Sequence, residues 1–201
     1  MVFHEFLRSR RSIRRFTPEP VSIDALTRIL ETANHAPSAH NRQPWRFAVI
    51  AERGKKTYFA ESLAVAFRRD LSAEGIEQKE IESRTKRSIE RITAAPVIVI
   101  LFLDMSEMDQ SNQKSGDKSR MEHTMAIQSV AAAGLQFQLA ARAEGLDTVW
   151  ICSPLFAPET VISSLQLPIT WEPQAMFFLG HAAAAPREKG MKTLDEVVKF
   201  L

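Results

Sequence analysis

Four stretches of this 201-residue chain gather side chains that could hold a charged or heteroaromatic ligand. The first is Arg10-Arg11-Ser12-Ile13-Arg14-Arg15. Guanidinium forks match the oxygens of a phosphate monoester and bond them in charge-assisted pairs, and a hydroxyl adds a further donor. The same run would also serve as a solvated basic face or a nucleic-acid contact, and spacing alone leaves both readings open. The second stretch is Ala36-Pro37-Ser38-Ala39-His40-Asn41-Arg42-Gln43-Pro44-Trp45, in which two prolines stiffen a loop. Ser38, Asn41 and Gln43 there offer donors and acceptors from a rigid backbone, which suits reading the edge of a flat heterocycle. The plainer alternative is a stiff turn with Trp45 packed in the core.

The third stretch, Trp150-Ile151-Cys152-Ser153-Pro154-Leu155-Phe156, is a strand end opening into a loop, where backbone groups could face a reactive ring atom. Cys152 is the only cysteine, and no motif supplies it with a base. A lone cysteine without such a partner reads as a small apolar residue and not as a nucleophile. The fourth stretch is Gly180-His181, then Arg187, Lys189 and Lys192 ahead of Leu194-Asp195-Glu196-Val197-Val198. Its cations would complete a phosphate site or simply decorate a surface loop. The five histidines form no metal pattern. The glycine signatures of P-loops, dinucleotide-binding turns and serine hydrolase elbows are all absent from the sequence.

These stretches need elements to position them. The chain opens on a short helix around Phe3–Ser9. Ser22 is placed to cap a second helix, in which Leu26, Ile29, Leu30 and Ala33 share one face before Pro37 stops it. Trp45–Ile50 reads as a strand, with helices near Lys56–Leu71 and Glu77–Ala94 after it. Pro96–Leu103 is an unbroken β-rich run, hence a strand buried on both faces. Met105–Ser119 is polar and reads as a mobile loop or lid. Met121–Ala143, rich in alanine, is the longest helix; it has too little polar surface to be exposed all round and must face a core or a partner. Gly145 caps it. Strands at Thr148–Ile151 and Ala175–Leu179 flank a helix near Pro158–Leu165.

The order lacks strict strand–helix alternation, so an α+β sandwich is expected, as one domain over residues 1–201. Hydrophobic residues at 45% and charged residues at 25% suit a soluble globular protein. Twenty-six basic against 24 acidic residues leave a net charge of only +2, which argues against a nucleic-acid coat protein. The lone cysteine, the lack of a secretory signal and the lack of a spanning apolar run point to a cytoplasmic setting with no membrane partner.

Taken in order, the four stretches resemble the nitroreductase family. The shared pattern is Arg10, Arg11, Ser12 and Arg14; then Pro37, Ser38, Asn41, Gln43, Pro44 and Trp45; then Gly145, Leu146 and Trp150; then Gly180 with Leu194, Glu196 and Val197. The resemblance implies a three-layer α-β-α sandwich around a mixed, mainly antiparallel sheet, with a strand exchanged between the subunits of a homodimer. It implies FMN as cofactor, a nicotinamide donor, and an acceptor such as a nitroaromatic or a quinone.

By the same resemblance the cofactor would be held by Arg10, Arg11, Ser12, Ile13 and Arg14, with Arg14 at the N1–C2=O edge of the ring. Pro37, Ser38, Ala39, Asn41 and Gln43 would come from the partner subunit. Ile151 and Cys152 would lie near the reactive face, and no side chain is named as an obligatory acid or base. Many relatives carry an arginine in the tail where this chain has Lys189-Gly190-Met191-Lys192, so Lys189 and Lys192 share that assignment. Val197–Leu201 has the apolar, β-rich character of the exchanged strand.

Within the family, His40–Phe47, Cys152–Phe156 and Leu167–Ala175 look most like the reductase domain fused to the ligase that builds the deazaflavin coenzyme F-420. This sequence carries no ligase segment, which leaves its substrate open. A reductase of a dehydro precursor of that coenzyme is one alternative. A nucleic-acid-binding or regulatory module built on Arg8–Arg15 is another, of a different class.

Overall fold

The computed structural model describes residues 2–108, 116–186 and 190–201. Seven helices appear among them: α1 (Phe3–Ser9), α2 (Ile23–Ala33), α3 (Arg53–Ala73), α4 (Gln78–Ala94), α5 (Gly116–Ala143), α6 (Pro158–Leu165) and α7 (Leu194–Val197). Four strands, β1 (Trp45–Ile50), β2 (Val97–Asp104), β3 (Asp147–Ile151) and β4 (Trp171–Gly180), form one sheet in the order β1-β2-β4-β3. Every neighbouring pair is antiparallel. The parallel component expected of a mixed sheet is a single bridge, Ser12 to Thr148 at the outer edge of β3.

The sandwich follows from β2. Every residue of Val97–Asp104 is buried, and side chains alternate between faces. Val97, Val99, Leu101 and Leu103 face a core shared with α2 and α5. Ile98, Ile100 and Phe102 face a second core shared with α3, α4 and α6. Beside it, β4 alternates the same way, with Ala175, Phe177 and Leu179 towards one core and Met176 and Phe178 towards the other. A helix layer on each face of one sheet is the expected α+β sandwich.

Local chemistry sets the ends of the elements. Ser22 Oγ accepts the Ala25 amide at 3.2 Å, capping α2. Gly145 takes φ +74°, the left-handed conformation that closes α5. A Cβ on Gly134 would lie 2.5 Å from Trp150 Cζ3, so α5 needs glycine there to lie close over β3. Three expectations change. The polar stretch Met105–Ser119 is not all loop, because Met105–Glu107 is a short 3-10 turn and Gly116–Ser119 is the first turn of α5; residues 109–115 lie outside the described residues. Strand β4 starts at Trp171, four residues earlier than the pattern suggested. Leu194–Val197 is a helical turn locked by a Thr193–Glu196 capping box, so in the single chain the tail turns extended only at Val198. Among the described residues no helix is long and apolar enough to cross a membrane.

Candidate functional site

The arginine segment is a strap laid along the sheet. The Ile13 amide donates to Thr148 O at 2.9 Å, making Ser12 and Ile13 a short extension beside β3. Ile13 is buried and anchors the strap, while Arg10, Arg11 and Ser12 are half-buried and Arg14 and Arg15 are exposed. Further along, the Thr17 amide donates to His181 O at 2.9 Å, and the Ala183 amide donates to Arg15 O at 3.0 Å. The strap is thereby tied to the first residues after β4. Gly180 makes that approach feasible: a Cβ there would meet Pro96 Cγ at 2.6 Å and Phe16 Cδ1 at 3.2 Å.

Strap and tail enclose a cleft of about 320 Å³, lined by Ser9, Arg11, Ile13, Arg142, Asp147 and Ala182–Pro186. Arg142, in the last turn of α5, pairs with Asp147 at 3.3 Å and its Nε donates to Ser9 Oγ at 3.3 Å. The Arg11 and Arg142 guanidinium groups are of the kind that suits a phosphate monoester, while the Ser9 hydroxyl is committed within the chain, donating to Phe6 O at 2.7 Å. Behind this edge, buried Gln138 on α5 donates to Thr148 Oγ1 at 2.9 Å, which holds helix and strand in register. Neither Arg142 nor Asp147 was singled out from the sequence. The available signal was their placement five residues apart across the Gly145 turn, where helix end and strand start must come together.

The second stretch is built separately. Its loop runs from the end of α2 to β1 and hangs on α5, where Ser129 Oγ accepts the Ala39 amide at 3.1 Å. Ser38 Oγ accepts the Gln43 amide at 3.0 Å, and Gln43 Nε2 donates to Asn41 Oδ1 at 3.0 Å. His40, Asn41 and Gln43 all have positive φ, between 51° and 54°. Three non-glycine residues in the left-handed region within four positions store backbone strain of a kind that clusters at binding sites. Trp45 is buried with its indole N–H on Asn34 Oδ1 at 2.9 Å, so the plain reading of that residue as core is correct. No residue of Pro37–Gln43 lines the cleft.

Ile151 ends β3 half-buried, paired with Met176. Cys152 follows it, exposed, at the start of the Ser153–Phe156 turn. Of the tail lysines, Lys192 is exposed and Lys189 lies outside the described residues. The structure therefore joins the strap, the start of β3 and the segment after β4, and leaves the Pro37–Gln43 loop apart from them.

A helix layer on each face of one antiparallel sheet, with a basic strap on its outer strand, defines an α+β sandwich, and comparison with known proteins makes the class specific. The family model described as "Nitroreductase family" matches residues 7–181, and the chain belongs to that family; it is an enzyme of the oxidoreductase class. It is 29% identical over 182 residues to the 5,6-dimethylbenzimidazole synthase of Rhodospirillum rubrum, a match covering 90% of this chain and 80% of that one. It is 26% identical over 188 residues to a Bacillus subtilis protein assigned as an NAD(P)H nitroreductase, covering 94% and 88%. Among solved structures, one from Desulfovibrio desulfuricans, assigned as a nitroreductase in complex with FMN, superposes with TM-score 0.73 at 27% identity, covering 98% and 95%.

Proposed function

We propose that this chain is an FMN-dependent oxidoreductase that takes hydride from a nicotinamide donor and passes it to an acceptor such as a nitroaromatic or a quinone. The observation that carries this reading is the tethering of the Arg10–Thr17 strap, through Ile13 to Thr148 and through Thr17 to His181, beside a cleft whose arginines suit a phosphate. The FMN-bound relative at 27% identity supplies the cofactor. When bound, FMN supplies the hydride chemistry. The protein holds and orients it: Arg10, Arg11 and Ser12 take the phosphate end, with Ile13 as the buried anchor. Lys189 and Lys192 are the tail cations of that end. Arg14 places a fixed cation at the N1–C2=O edge, where reduction builds negative charge.

The reading includes a homodimer. Ile127, Ala131 and Leu135 lie at i, i+4 and i+8 on the exposed face of α5. Val197, Phe200 and Leu201 in the tail are also exposed. The strap covers the outer edge of β3 at Thr148, so β1 is the edge left for an added strand. A partner docked on α5 would bring its Pro37, Ser38, Ala39, Asn41 and Gln43 to a strap they do not meet within one chain, and Ile151 and Cys152 would border the ring. Residues 1–201 act here as one FMN-binding domain.

The purified protein is expected to be yellow, to release FMN on denaturation, and to bleach anaerobically with NADH or NADPH. A colourless protein that takes up no FMN would refute the reading. A second reading rests on the Rhodospirillum rubrum relative: formation of 5,6-dimethylbenzimidazole, testable by assaying the holoprotein for that product. The finer likeness to the F-420 reductase branch rests on the His40–Phe47, Cys152–Phe156 and Leu167–Ala175 segments, and a panel of acceptors that includes the dehydro precursor tests it.

A further inference from the structure

Asp147 is a carboxylate in a cleft fitted for an anion. Its side chain is only 13% exposed, and it shares the cleft lining with Arg11 and Arg142. These three are the charged side chains among the described lining residues. The last turn of α5 also borders the cleft, and a helix C-terminus carries partial negative charge. Left alone, these negative groups would oppose any phosphate brought against Arg11. Arg142 answers both, because it sits in the last turn of α5 and reaches Asp147 Oδ1 at 3.3 Å and Oδ2 at 3.5 Å. Ser9 Oγ, accepting from Arg142 Nε, fixes the guanidinium in that pose.

We propose that the Arg142–Asp147 pair sets the net charge of this cleft and so decides how strongly it prefers a phosphorylated flavin to its dephosphorylated form. With the pair intact, Arg142 neutralises the carboxylate within the protein, and Asp147 no longer repels a phosphate monoester brought into the cleft. Asp147 also opens β3 beside Thr148, to which the strap is bonded, so a change of charge here acts directly on the arginine segment. The inference rests on the FMN reading above. Its sign pattern is specific: loss of Arg142 weakens phosphate binding, and loss of the Asp147 charge strengthens it.

The test compares wild type, Arg142→Gln, Asp147→Asn and the double variant as full-length proteins, titrated with FMN and with riboflavin by fluorescence quenching. A unit charge roughly 6 Å from the phosphate, in an environment between bulk water and a protein surface, predicts about three- to hundredfold weaker FMN binding for Arg142→Gln and a tightening of the same order for Asp147→Asn. The double variant should return to within about threefold of wild type, since the two changes offset one another. Riboflavin affinity should stay level throughout, which also shows that the variants are folded. Equal losses for FMN and riboflavin would make the pair merely structural and overturn the proposal, as would FMN affinities that do not move. A second arm measures the rise in melting temperature with inorganic phosphate and needs no flavin site. If wild type binds no flavin but phosphate reproduces the sign pattern, the FMN reading fails and the cleft assignment stands. If flavin binds and neither arm shows the pattern, the cleft assignment fails alone.

Discussion

Gly180→Ala is the most direct test of how the strap is held. An alanine Cβ would lie 2.6 Å from Pro96 Cγ, 2.9 Å from Pro96 Cδ and 3.2 Å from Phe16 Cδ1. Ordinary carbon contacts are about 3.5–4.0 Å, so roughly 1 Å of space must be found. Pro96 cannot readily supply it, because its ring is rigid and its carbonyl accepts Lys56 Nζ at 3.0 Å. Phe16 can move, but only by lifting the strap from His181 and Ala183. Overpacking of this kind costs about 1–3 kcal/mol. At about 2–4 °C per kcal/mol for a chain of this size, the melting temperature should fall by roughly 2–12 °C. Losing one or both flanking backbone bonds, at about 1 kcal/mol each, should weaken FMN roughly five- to thirtyfold. Differential scanning fluorimetry and flavin titration read the two effects separately. A variant that melts like wild type and binds FMN normally would refute the close approach, and a destabilised variant with intact FMN affinity would refute its coupling to the strap.

Arg14→Ala should weaken FMN by about 1.5–3 kcal/mol, the worth of a charged hydrogen bond, and make the bound flavin harder to reduce; an unchanged flavin potential would remove Arg14 from that edge. Lys56 is buried, with Nζ donating to Ala95 O at 2.6 Å and Pro96 O at 3.0 Å, and burial, reinforced by nearby Arg53, lowers its pKa below the ordinary 10.5. The unfolded chain therefore binds more protons between the folded value and 10.5, so wild type should gain stability relative to Lys56→Met as pH rises through that window, which urea denaturation at several pH values would reveal. Cys152→Ala should keep substantial turnover, and a complete loss with FMN bound and the fold intact would restore a role for the thiol. Deleting Leu194–Leu201 should cause aggregation or loss of flavin, and light scattering that finds a yellow, well-behaved monomer would sink the shared-site dimer.

Much of the frame was legible because its signals are local. An apolar run such as Val97–Leu103 has to be a two-faced strand, and it is. Ser22 and Gly145 mark helix ends by cap chemistry that depends only on their neighbours. The arginine segment, too, was visible as a donor set. What could not be read was its attachment. Nothing in Ile13 or Thr17 by itself says that their amides will bond Thr148 and His181, more than a hundred residues away, because backbone bonds carry no side-chain signature.

The same limit explains why the cleft's second arginine escaped notice. In sequence, Arg142 looks like a favourable cation in the last turn of a helix, and Asp147 looks like a polar residue before a strand. Each has a sufficient local explanation, so neither invites a functional one. Only when α5 and β3 fold back on each other at Gly145 do the two charges meet, and only when the strap lies beside Thr148 does their meeting border a basic cleft. The Pro37–Gln43 loop shows the reverse case. Its polar residues read as a ligand site from the start, and its three positive-φ residues confirm that the backbone is held in a costly shape. Yet the chain does not carry that loop to the cleft it would serve. A strained polar loop on one side and a basic strap on the other make sense together if a second copy closes the distance, and that is the arrangement the tail deletion tests.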